Sequence, residues 1–169
     1  MPHDAATPRH LLVLDPRQTA WGALLAAAGE DVAVLVLDMA RDGLVQVAEV
    51  AAELAPLESI RLVGPGGAGR VTLGTVVLEP ETAEERGWVL AALGATLLPQ
   101  GRLELLEMAG AGASGGRLMA MLGRALGRDV MTEESRFGAP EMTVPAALSS
   151  PAWVWAPRGH ATAEAAALR

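Results

Sequence analysis

Three observations predict a three-layer α/β domain with a mainly parallel sheet. The apolar runs are continuous rather than alternating, amphipathic stretches separate them, and an Asp closes each of the first two runs. In a parallel sheet helices cover both faces, so a strand reads as uninterrupted Val, Leu and Ile. The 169 residues fit one domain, and a domain of that size buries roughly 70% of the surface its unfolded form exposes. The expected domain spans 10–156, with 1–9 and 157–169 as flexible ends.

The run at 10–14 ends at Asp15, and 18–28 (QTAWGALLAAA) carries Ala, Leu and Trp at helical spacing before Gly29, a helix stop. A second unit repeats the pattern. Residues 32–37 (VAVLVL) form a β-branched run ending at Asp38, and 43–55 is amphipathic up to Pro56. A third strand is expected at 59–63 (SIRLV), followed by GPGGAG at 64–69, too rich in glycine for regular structure. Residues 70–78 read as a hairpin pivoting near Gly74. Residues 81–97 read as one helix with Glu81, Glu84 and Glu85 near its positive end, and with Trp88, Leu90, Leu93 and Leu97 facing inward. A fourth strand at 102–108, a glycine-rich turn at 110–116, a helix at 117–127 and a short strand at 128–131 complete the expected order.

Composition excludes several function classes. A net charge of −7 and thirteen scattered Arg, with no Lys, give nucleic-acid phosphates no attractive field. The apolar runs are too short to cross a bilayer, which takes about 20 residues, so membrane insertion is not expected. The N-terminus lacks the basic and then apolar order of a signal peptide. The default expectation is cytoplasmic, with a signal-independent export route left open. No Cys is present, which removes disulfides, thiolate metal sites and a cysteine nucleophile together.

Few constellations could carry chemistry. His3, His10 and His160 lie near the termini, away from the carboxyl ends of strands where an α/β domain places its site, so a triad has no expected base. Ser114 in its glycine-rich turn reads as a solvated turn serine. Asp15 and Asp38 stand at the carboxyl ends of neighbouring strands, where a metal-dependent hydrolase could use them; the competing reading is that they cap helices and end strands. Both glycine-rich turns fit G-x-G-x-x-G, as Gly64, Gly66, Gly69 and as Gly110, Gly112, Gly115. The first runs into a strand and offers no helix N-terminus to a pyrophosphate. The second follows a strand, opens a helix and has Asp129 downstream, so a nucleotide-binding reading stays open. Trp153 and Trp155 are two apart in a candidate strand and share a face, either in the core or as an interface anchor.

Several strings over residues 10–140 resemble a bacterial caspase-like domain of unknown function that commonly stands at the N-terminus of large repetitive surface adhesins. The first strand of that family ends in Asp, as LLVLD does here, and its second leads to Leu-Asp and then Asp-Gly-Leu, as in LDMARDGLVQVAEVA at 37–51. Its third strand leads to Ser-His-Gly; here Gly64, Pro65 and Gly66 occupy that frame, with Gly69, Leu73 and Gly74 in place. Its fourth strand ends in Gly-Cys, where this chain has Met108 or Ala109. The resemblance implies a caspase-like sheet, with a cleft between the turns at 64–69 and 109–116, whose His/Cys dyad is lost. The chemistry agrees, because a thioether has no nucleophilic proton to lose and Pro has no titratable group. The expectation is a non-catalytic pseudo-peptidase without a cofactor, acting as a protein-interaction or assembly module through a protein partner or self-association.

Overall fold

The computed structural model describes residues 7–132 apart from 20 and 106, and of 107 and 108 only the backbone. Five strands form one sheet, β1 (His10–Leu14), β2 (Val32–Val36), β3 (Leu57–Val63), β7 (Leu97–Leu105) and β8 (Asp129–Thr132), in the order β2-β1-β3-β7-β8. All four pairings are parallel. The mainly parallel α/β sheet expected from the continuous apolar runs is present. A second, antiparallel sheet inserted between β3 and β7 joins β4 (Gly66–Gly67), β5 (Arg70–Leu73) and β6 (Val76–Leu78). The glycine-rich run at 64–69 is therefore partly regular: Gly66 and Gly67 pair with Val71 and Arg70.

The larger core lies on one face of the sheet, where Leu11, Val13, Leu35, Ile60, Leu62 and Leu103 meet the helices α2 (Gly43–Leu54), α3 (Pro80–Glu85), α4 (Gly87–Ala95) and α6 (Gly112–Leu126). The smaller core, with Leu12, Leu14, Val34 and Val63, is covered by α1 (Trp21–Ala26) through Leu25. Neighbouring residues of β1 go to opposite cores because side chains alternate along a strand.

Four sequence expectations are corrected here. The single helix expected at 81–97 is two, broken at Arg86, and the chain is already in β7 at Leu97. Trp88, expected to face inward, is 71% exposed. The fourth strand runs Leu97–Leu105 rather than 102–108, because Leu97 pairs with Leu57 before a register shift brings Arg102 opposite Ser59. Met108 consequently lies in α5 (Glu107–Gly110), and the turn expected at 110–116 is helical on both sides of Ala111. The candidate strand with Trp153 and Trp155, and the tail at 157–169, fall outside the described residues.

Candidate functional site

The carboxyl ends of β1, β2 and β3 meet the apex of the small sheet. Asp15, fully buried, follows β1 and accepts four hydrogen bonds: from the Arg17 N–H at 3.0 Å and Arg17 Nε at 2.8 Å on Oδ1, and from Arg17 Nη2 at 2.5 Å and the Gly74 N–H at 2.9 Å on Oδ2. Arg17 Nη2 also donates to the Gly74 carbonyl at 2.6 Å, so one ion pair grips both polar groups of the hairpin apex. Burial pushes the Asp15 carboxyl up, but the Arg17 and Gly74 hydrogen bonds and the Arg17 charge outweigh it and hold the group below its ordinary range. Gly74 has φ +61, and a Cβ there would run into the Arg41 carbonyl. Only glycine fits both conditions.

The loop after β2 closes the same end. Asp38 Oδ1 accepts from the Ala40 N–H at 2.9 Å, and Asp42 caps α2 by accepting from the Val45 N–H at 3.1 Å while Arg86 Nη2 donates to its Oδ2 at 2.7 Å. Gln46, buried in α2, donates to the Asp38 carbonyl at 2.9 Å and accepts from the Asp38 N–H at 2.9 Å. Burying an amide side chain is tolerable only with such partners. Asp15 and Asp38 thus end strands and hold turns, and they have different donors. Among the described residues no three His, Asp or Glu side chains form a group that could hold a metal ion.

The two turns that the resemblance assigns to a dyad come together. The Pro65 carbonyl accepts from the Thr72 N–H at 2.7 Å, which folds the 64–69 turn back on β5. Gly69, at φ +76, donates its N–H to the Ala109 carbonyl at 2.9 Å, and a Cβ on Gly69 would come within 2.6 Å of the Ser114 Cβ. The cleft expected between 64–69 and 109–116 is at this point a packed contact. Ala109 is buried, and Ser114, expected in a turn, is an exposed residue of the first turn of α6.

The second glycine pattern does not form a strand-to-helix phosphate loop. Gly110 ends α5, and a Cβ on it would collide with the Thr132 methyl group. A Cβ on Gly115 would collide with the Gly110 backbone. These two glycines allow close packing among α5, α6 and β8, while Asp129 is exposed on β8. Gly64 and Gly66 have the same kind of role against the Thr72 and Arg70 carbonyls.

One cluster was missed from sequence. At the opposite, amino-terminal end of the strands, His10 Nδ1 and Ser59 Oγ are 2.8 Å apart, and His10 Nε2 lies 3.5 Å from Asp31 Oδ2 and 3.8 Å from Glu58 Oε2. Arg9 Nε donates to Glu58 Oε1 at 2.7 Å. His10 thus lies away from the carboxyl ends of the strands, as expected, but has a serine beside it. Parallel register sets His10 beside Ser59 across 49 residues of sequence, and no local signal reports that. The pair is poorly placed for nucleophilic attack, since Ser59 is 6% exposed in mid-strand between β1 and β7.

Residues 11–144 match the family model described as a domain of unknown function (DUF4347). The chain belongs to that family. No curated protein matches it. Among solved structures it is similar to BdcA (YjgI) from E. coli, with 15% identity and a TM-score of 0.40 over 90% of this chain and 98% of that one, a likeness too slight to carry an argument. Among the described residues, no helix of this DUF4347 member is long and apolar enough to cross a membrane.

Proposed function

We propose that this DUF4347 member is a pseudo-peptidase of caspase-like architecture that works by binding, as an interaction or assembly module. The observation that supports the reading is the Gly69–Ala109 hydrogen bond, which joins the segment after β3, where Pro65 stands, to α5 after β7, which holds Met108 and Ala109. Cysteine-peptidase chemistry needs a thiolate and a base at two such neighbouring turns. Here neither is available, because the chain holds no Cys and Pro65 cannot titrate. The parallel strand order with a small antiparallel sheet after the third sheet strand is consistent with the same architecture.

The test is turnover of a broad peptide library together with labelling by electrophilic serine and cysteine probes. The expected result is no turnover and no label. Turnover that co-purifies with the chain and vanishes in Ser59→Ala or His10→Ala would overturn the reading, since those residues form a Ser/His pair among the described residues.

A further inference from the structure

We draw no further inference here: the strongest candidate, the exposed apolar stripe of Trp88, Ala91, Ala92 and Ala95 along helix α4, is an unpartnered helix face, and nothing in the structure shows what covers it.

Discussion

At the carboxyl ends of the strands a buried aspartate is surrounded by four donors from Arg17 and Gly74, whereas at the amino ends a part-exposed histidine lies between a serine and two carboxylates. The first end is closed. Its acceptors and donors are matched within the fold, and its glycines admit backbone where a side chain would not fit. The second end is open to water, with His10 28% exposed and the Arg9–Glu58 pair beside it on the surface. An α/β domain usually keeps its working groups at the carboxyl ends, and here that end has the character of a structural joint. The polar groups that look most like catalysts sit at the wrong end, against a serine held in mid-strand.

Removing the centre of the closed end should break the contrast most. Asp15→Ala leaves Arg17 and the Gly74 N–H without their acceptor and should lower unfolding free energy by about 3 kcal/mol, a figure moderated by the partial exposure of Arg17. Urea denaturation would measure it. Because the folded carboxyl titrates below its ordinary value of about 3.9, its contribution is complete above that pH and is lost as pH falls further toward the folded value. In a denaturation series from pH 6 to pH 2, Asp15→Asn should therefore flatten part of the acid limb. A variant whose acid limb matches the parent would show that other carboxylates set it.

Gly69→Val should come next. It forces a side chain onto φ +76 and against Ser114, and should cost about 1–3 kcal/mol. Gly66→Val, which meets the Arg70 carbonyl at ordinary φ, should fall in the same range. Unchanged melting temperatures for both would mean that the joined turns have room the packing denies. The smallest effect should be at the open end, where His10→Ala removes one part-buried hydrogen bond to Ser59 and should cost about 1 kcal/mol or less. A loss as large as that of Asp15→Ala would erase the distinction between the two ends.

Much of the architecture was legible because it is local. Continuous apolar runs located β1, β2 and β3 to within two residues, the amphipathic stretch from residue 43 located α2, and Gly74 marked the hairpin turn. Helix period alone misplaced Trp88, because an apolar helix has no contrast between its faces and its outward side is chosen by what packs beside it. Likewise nothing local tells that the residues after Leu105 leave the strand and turn into α5, since LLEM suits either state.

By itself the sequence determined the fold class, the strand-ending aspartates and the absence of thiols, all of which follow from periodicity, turn residues and composition. Only the tertiary structure decided which groups meet. Asp15 finds Gly74 across 59 residues, His10 finds Ser59 across 49, and Gly69 finds Ala109 from another strand's turn. Those pairings depend on strand order and register, which are properties of the whole sheet and leave no mark on any short stretch of chain.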